Sequence, residues 1–261
     1  MEPVHPFSIT RVRQGHKEAH EDILVREIKL SIDVNGELIA ALMATPVDQE
    51  ALAVGYLMSE NILADVGDIE NIALAEDEAR VELRGRIDAA AAEKLNAEGV
   101  VISGCGRSKT ANIDPEQIQA KVNTVDFTLP AARVSDEMNG FEAHCRLYRQ
   151  TGSVHTAMLL LESGEYFIAE DIAQHNTVDK AIGKARLAGA DTTRSALFVS
   201  GRLSSEMVAK AVMHAIPIVV SRTASTCLGV QIAEKFGITL VGFARKTNMN
   251  IYTHDTRITE E

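Results

Sequence analysis

Cysteine is scarce in this chain: Cys105, Cys145 and Cys227 are the full set of three, far apart in sequence and without a Cys-x-x-Cys pair. That spacing offers neither a disulfide framework nor a zinc clasp, and a reducing compartment is the expectation. Long apolar runs are also missing. The start, Met1-Glu2-Pro3-Val4-His5-Pro6, has no basic region leading into an apolar one, so no membrane span or secretory leader is expected and the cytoplasm is the expected location. Cations are in deficit, with 26 Lys and Arg against 37 Asp and Glu and a formal charge of -11. Such a chain repels duplex nucleic acid and anionic membrane at long range, although a few focused Arg and Lys can still hold an anionic ligand. No Walker A sequence occurs and no Gly-x-Gly-x-x-Gly follows a strand, which disfavours ordinary nucleotide triphosphate and dinucleotide sites. What remains is a chain of 261 residues, 46% hydrophobic, with no internal repeat: enough for one large or two modest globular domains.

A polar lead precedes Glu27–Val34, which alternates toward an Asn35-Gly36 turn, and Leu38–Met43 returns as the second arm of a hairpin. Thr45, Pro46 and Asp48 make an N-cap, first-turn and N3 set ahead of a helix through Ala51, Leu52, Val54, Gly55 and Leu57. Ile69–Leu74 and Arg80–Leu83 read as two further strands, giving a small α+β unit over residues 1–125. Within it, Val100–Asn112 carries two glycines, Gly104 and Gly106, and little bulk, the composition of a flexible loop. A second unit, 126–261, opens with Val134, Met138, Phe141, Cys145 and Tyr148 at helical intervals, one long amphipathic helix. From His155 the order strand, strand, helix, strand, helix, strand, helix, strand implies a mostly parallel α/β sheet covered on both faces.

Four short apolar runs in this unit each end in a polar cluster. Glu170 and Asp171 follow Tyr166–Ile168, Gly201 and Arg202 follow Leu197–Val199, Ser221 to Thr223 follow Ile218–Val220, and Arg245 to Asn248 follow Leu240–Phe243. Ligands of open α/β sheets lie beyond the carboxyl ends of the strands, so the clusters mark a candidate site along one edge. Arg202, Arg222, Arg245 and Lys246 would make that edge locally cationic and suited to phosphate. Arg202, just before the Ser204-Ser205 helix start, has both a guanidinium and helix-end N–H groups to offer an anion. The stretch Glu170–Lys180 adds an imidazole: His175 and Asp179 lie one turn apart, and the carboxylate is expected to orient the ring or stabilise its charge, against a plainer reading as helix capping and solvated surface. His155 leads an apolar run and either faces the same edge or caps a buried strand. Cys105, between Gly104 and Gly106 and near Arg107, is either an incidental loop thiol or one whose thiolate is favoured by backbone N–H groups and the cation. Cys145 and Cys227 sit in helical patterns and read as small packed hydrophobes.

Taken in order, DILVREIKLSIDVNG, LMATPVDQEALAVGYLMSENI, the Cys105 loop, TGSVHTAML, EDIAQHNTVDKAIG, SGRLSSEMVAKAV and TLVGFARKTNMNIY resemble the formate dehydrogenase accessory sulfurtransferases of the FdhD family, from about Asp22 to Tyr252. The resemblance implies a protein that takes sulfur from a cysteine desulfurase as a persulfide on Cys105. It would pass that sulfur to the bis(molybdopterin guanine dinucleotide) molybdenum cofactor, bound as a substrate, which formate dehydrogenase needs for activity. It also implies a carboxyl-terminal unit with a cytidine-deaminase-like, three-layer α/β/α fold, a homodimer, and no permanent metal. The cofactor-binding segment of the family corresponds to Phe243, Ala244, Arg245, Lys246, Thr247 and Asn248. Gly201, Arg202, Ser221, Thr223, His155, His175, Asn176 and Asp179 complete the candidate set.

Many relatives carry Cys-Gly-x-Cys where this chain has Cys105-Gly106-Arg107-Ser108, so a single thiol must carry the sulfur. Ile172-Ala173-Gln174 replaces a common Val-Gly-Arg, which removes one phosphate contact. Two other functions stand beside this one. A noncatalytic chaperone for the cofactor would not need Cys105. A nucleobase hydrolase would need His-x-Glu and Pro-Cys-x-x-Cys, and His155-Thr156-Ala157 and the solitary Cys227 do not supply them.

Overall fold

The structure, a computed structural model, describes residues 1–77, 79–97, 102, 103, 118, 120 and 122–260. The polar lead is in fact a two-stranded antiparallel ribbon of β1 (Val4–Arg13) and β2 (His16–Val25). Both of its faces stay largely in water, so its sequence shows no strong apolar alternation. The expected hairpin follows as β3 (Ile28–Val34) and β4 (Glu37–Ala44), joined by Asn35 and Gly36 at φ 53° and 87°. Both turn residues take the left-handed geometry that an Asn-Gly turn supplies at least strain. Next come α1 (Gln49–Ser59), β5 (Ile69–Leu74), β6 (Arg80–Gly85), α2 (Ala89–Ala97) and β7 (Ile102–Ser103), and the strands form one sheet in the order β5-β6-β3-β4-β7. The helix start departs from expectation. Asp48, at φ 54°, is the N-cap residue and makes no side-chain capping bond, because its carboxylate pairs with Lys184 at 3.1 Å. β7 also corrects part of the expected loop: Ile102 and Ser103 pair in parallel with Ala41 and Leu42. Residues 104–112 of that stretch lie outside the described residues.

β8 (Leu129–Pro130) leads into α3 (Ala131–Gly140), a turn of 3₁₀ helix (Phe141–His144) and α4 (Arg146–Thr151), where one long helix was expected. The apolar repeat converges as it should, with Val134, Met138, Phe141 and Cys145 buried, but the extended conformation at Cys145 breaks the axis. Then β9 (His155–Leu161), β10 (Tyr166–Asp171), α5 (Gln174–Leu187), β11 (Ser195–Val199), α6 (Ser205–Met213), β12 (Ile218–Ser221), α7 (Cys227–Phe236) and β13 (Thr239–Arg245) follow in the expected order. β14 (Asn248–Thr253) and β15 (Ile258–Thr259) are additional. Cys227 opens α7 and is exposed, unlike the packed thiol expected, whereas Cys145 is buried as expected.

The second sheet runs β10-β9-β11-β12-β13-β14. It is less parallel than expected: β11, β12 and β13 are mutually parallel, while β9 and β14 run against their neighbours. The connections explain this, since β9 to β10 and β13 to β14 are tight turns, and a parallel pair needs a crossover. Period two along β11 serves both faces. Leu197 and Val199 pack with Val178 and Ile182 of α5, Val208 of α6 and Ile232 of α7. Ala196 and Phe198 pack on the other side with Val134 and Met138 of α3 and with Phe141.

The two sheets meet through helices. Nearly every residue of α1 is buried, as a helix apolar on all sides requires, because it lies between the first sheet and α5. Glycine sets that contact: a Cβ on Gly55 would collide with the carbonyl of Asp179, and one on Gly183 with the carbonyl of Ala51. No helix among the described residues is long and apolar enough to cross a membrane.

Candidate functional site

One edge of the second sheet collects the carboxyl ends of β10, β11, β12 and β13, together with the starts of the reversed strands β9 and β14. His155 is thus opposite Asp171, Val199 opposite Ser221, and Arg245 opposite Asn248. All four sequence clusters reach this edge. β13 runs past β12, whose last pairing joins Val220 to Val241, and the overhang Gly242–Arg245 is tied down from the neighbouring loop. Phe243 N–H donates to the Thr223 carbonyl at 3.0 Å, and Arg245 Nε donates to the Arg222 carbonyl at 2.8 Å. Phe243 and Lys246 hold left-handed φ angles of 51° and 54°, where the β13–β14 register shifts between Gly242 and Arg245 and the chain turns into β14. The Arg245 guanidinium lies 5.9 Å over the exposed Phe243 ring, and Lys246 and Thr247 form the exposed turn into Asn248. Ala244 differs from its neighbours in the motif: the whole residue is buried in the core, which corrects its expected place among the ligand contacts.

Beside this overhang lies a cavity of about 340 Å³, lined by Tyr148, Ser153, His155, Ser200 and Arg222 among others. His155 therefore faces the edge and does more than cap its strand. Its Nδ1 is 3.3 Å from Ser200 Oγ, which also accepts the Thr156 N–H at 3.0 Å. Burial holds this imidazole below its ordinary pKa, against the pull of the Asp171 carboxylate. Ser221 is buried and donates to the Gly201 carbonyl at 2.6 Å, and it accepts the Thr223 N–H at 3.0 Å. These bonds shape the backbone between Gly201 and Thr223. Arg202 is exposed, and its carbonyl accepts from Gln174 Nε2 at 2.8 Å.

The polar stretch after β10 divides in two. His175 stays near the site, with Nε2 3.1 Å from Glu206 Oε2. Burial, then Lys210 and His155, push its pKa down to about 4, so the neutral ring donates Nε2–H to the carboxylate. Its Nδ1 is buried without a hydrogen-bond partner. The expected orienting role of Asp179 is thus corrected: Glu206 holds the ring, and Asp179 points into the protein toward Lys210 Nζ, 2.8 Å from each carboxylate oxygen. Asn176 also turns inward, donating to the Met43 carbonyl at 2.8 Å and to Asp171 Oδ1 at 2.9 Å. Glu170 caps α4, accepting the N–H groups of Leu147 and Tyr148 at 3.0 and 2.7 Å. Helix periodicity explains the split: Asn176, Asp179 and Lys180, three and four residues apart, share the inward face of α5, and His175 lies off that face toward the open edge.

Sequence reasoning overlooked Ser200 and Glu206. Ser200 directly follows the last residue of β11 and shared the signal that marked Gly201; Glu206 reads as an ordinary acid in a helix first turn. Cys105 and Ser108 lie outside the described residues.

A sequence profile of the FdhD/NarQ family matches residues 25–259. The chain belongs to that family. A protein of Wolinella succinogenes named sulfur carrier protein FdhD is 42% identical over 238 residues, covering 91% of this chain and 83% of that protein. Another of the same name, from Sulfolobus acidocaldarius, is 34% identical over 266 residues and 98% of each chain. The crystal structure of a candidate formate dehydrogenase accessory protein from Desulfotalea psychrophila superposes with a TM-score of 0.82 at 25% identity, over 99% of this chain and 100% of that one. In this FdhD/NarQ protein, with a formal net charge of -11, the edge just described carries Arg202, Arg222, Arg245 and Lys246.

Proposed function

We propose that this protein is a sulfur carrier for formate dehydrogenase. It takes sulfane sulfur from a cysteine desulfurase as a persulfide on Cys105 and delivers it to the bis(molybdopterin guanine dinucleotide) molybdenum cofactor, held as a substrate at the edge of the second sheet. The observation that carries this reading is a cavity lined by His155, Ser200 and Arg222 on the sheet edge where the Arg202 and Phe243–Asn248 segments also end, with Arg245 bonded to the Arg222 carbonyl. A dinucleotide arm presents phosphates and a flat base. Guanidinium groups match the first by paired N–H donors, and an exposed aromatic ring with a stacked arginine matches the second.

Reach supports the same reading. Ser103 sits beside Leu42, three residues before Thr45, whose N–H is bonded to Asp171 on the edge. Two residues of chain, about 7 Å at full extension, separate Ser103 from Cys105. Leu42 to the edge is about 10 Å along the strand. Ser103, the last described residue before Cys105, is thus in the part of the first sheet that borders the edge. The relatives named sulfur carriers, the expected homodimer, the cytoplasmic setting and the deaminase-like second unit belong to the same reading.

The test is mass spectrometry of Cys105 after incubation with a desulfurase and cysteine, paired with formate dehydrogenase activation by the parent and by Cys105→Ser. A mass gain of one sulfur on Cys105, and loss of activation in the variant, are expected. Full activation by Cys105→Ser would replace the sulfur carrier with a cofactor chaperone.

A further inference from the structure

The end of β4 is fastened to the second sheet by an unusually complete set of bonds. Thr45 contributes three groups: its N–H donates to Asp171 Oδ2 at 3.0 Å, its carbonyl accepts from Lys180 Nζ at 3.0 Å, and its Oγ1 accepts the Ile172 N–H at 3.2 Å. Lys180 and Asp171 form an ion pair at 2.6 Å with both side chains at 0% exposure. The other carboxylate oxygen of Asp171 accepts from Ala173 N–H and Asn176 Nδ2, each at 2.9 Å, and Asn176 also reaches the Met43 carbonyl. Every strong acceptor position of Asp171 is thus occupied.

A buried ion pair of this kind is poor evidence for stability, because apolar residues of equal volume often do as well. Its value lies in geometry, since charged and hydrogen-bonded partners accept one arrangement where apolar surfaces accept several. Two strands meet at this cluster. Asp171 ends β10 opposite His155, a residue of the cavity wall. β4 is paired in parallel with β7, so both strands advance toward that same edge, and Cys105 follows Ser103 by two residues.

We infer that Thr45, Asp171, Lys180 and Asn176 form a register latch that positions the β4–β7 pair against the cavity, making them positioning residues for sulfur delivery. This rests on the sulfur-carrier reading above. The latch predicts a separation between loading and delivery: Cys105 receives sulfur from an outside donor without the edge, but it must meet the edge to give sulfur up.

Thr45→Val keeps the volume and backbone but leaves the Ile172 N–H without its acceptor; Thr45→Ser restores the hydroxyl. In full-length protein, both variants should acquire the Cys105 persulfide at the parental rate. Delivery, read as formate dehydrogenase activation with kcat and KM resolved, should lose about 10- to 100-fold in kcat for Thr45→Val, the effect of roughly ångström misplacement, and recover in Thr45→Ser. Parental delivery by folded Thr45→Val, or an equal loss in Thr45→Ser, would overturn the latch. If Thr45→Val does not fold, Asn176→Ala takes its place, removing the Met43 tie and leaving the ion pair. A second readout does not depend on sulfur chemistry. In a Cys105→Ser, Cys227→Ser background, spin labels on Leu38→Cys of β4 and on Arg149→Cys should give a narrow distance distribution with the parental Thr45 and with Thr45→Ser, and a broader or displaced one with Thr45→Val. An unchanged distribution refutes the latch. A parent that never loads Cys105 refutes the sulfur-carrier reading instead.

Discussion

Removing the ammonium of Lys210 tests how the two sheets are joined. Lys210 Nζ lies 2.8 Å from both oxygens of Asp179, and each side chain is 2% exposed. Ser59 of α1 donates to the same carboxylate at 2.7 Å and stands 3.1 Å from His214 Nε2, so one buried group unites α1, α5 and α6. In Lys210→Met the methylene stem survives and the charge does not, leaving Asp179 with a single hydroxyl partner. Breaking one side of a buried pair costs about 3–5 kcal/mol, a large fraction of a typical domain's stability of about 5–15 kcal/mol. The pH dependence has a definite sign. Burial already holds the Asp179 carboxyl above its ordinary pKa despite Lys210, and losing the cation raises it further. A carboxyl with a raised folded pKa is penalised at neutral pH, where the unfolded chain is free to ionise, and the penalty fades as pH falls toward the ordinary carboxylate range. Lys210 also depresses His175 and His214, so its loss eases their protonation in the fold and acts in the same direction. Urea unfolding followed by circular dichroism at pH 7 and pH 5 should therefore show a larger deficit for Lys210→Met at pH 7, and adding Asp179→Leu should return stability toward the parent. A deficit under about 1 kcal/mol, the size of a surface pair, or one that grows as pH falls, would refute the reasoning.

Acid should weaken the parent through His214, whose imidazole is pushed down to about 3 by burial, then by Arg186 and Lys210. The folded ring stays neutral while the unfolded one takes a proton below about 6.5, so stability is lost as pH falls through that window, by about 2 kcal/mol at pH 5. His175 adds a contribution of the same sign. His214→Gln should flatten the slope between pH 7 and 5 in the same unfolding assay, and an unaltered slope would count against it. At the edge, Arg245→Ala removes both the cation over Phe243 and the donor to Arg222. Calorimetry with guanosine diphosphate should show binding weakened by about tenfold, the scale of one charge-assisted contact, and an unchanged affinity would remove Arg245 from the site.

Local signals carried much of this molecule. Asn35-Gly36 set a turn because few residue pairs accept two left-handed conformations, and the order of strands and helices after His155 followed from short apolar runs separated by helical periods. The gathering of four polar clusters on one edge was legible too, since consecutive strand–helix units return each strand in the same direction. Pairing was not. The placement of β9 between β10 and β11, and hence of His155 beside Asp171, depends on tight turns and on which strands find each other.

The finer roles of polar residues were decided later still. Within Glu170–Lys180 the residue types announce chemistry, but Asp171, Asn176 and Lys180 turn toward the end of β4 and Asp179 toward Lys210 and Ser59, while His175 faces the edge. Thr45 and Asp48, which read as helix caps, bind β10 and α5 partners more than a hundred residues away. Sequence alone therefore determined the family, through its ordered motifs, and the order of elements from β9 to β13 with their polar clusters on one edge, because local backbone preference and periodicity fix such units. Tertiary structure alone decided which charges meet, because a buried ion needs its counterion wherever the chain brings one, and distance along the sequence has no bearing on that requirement.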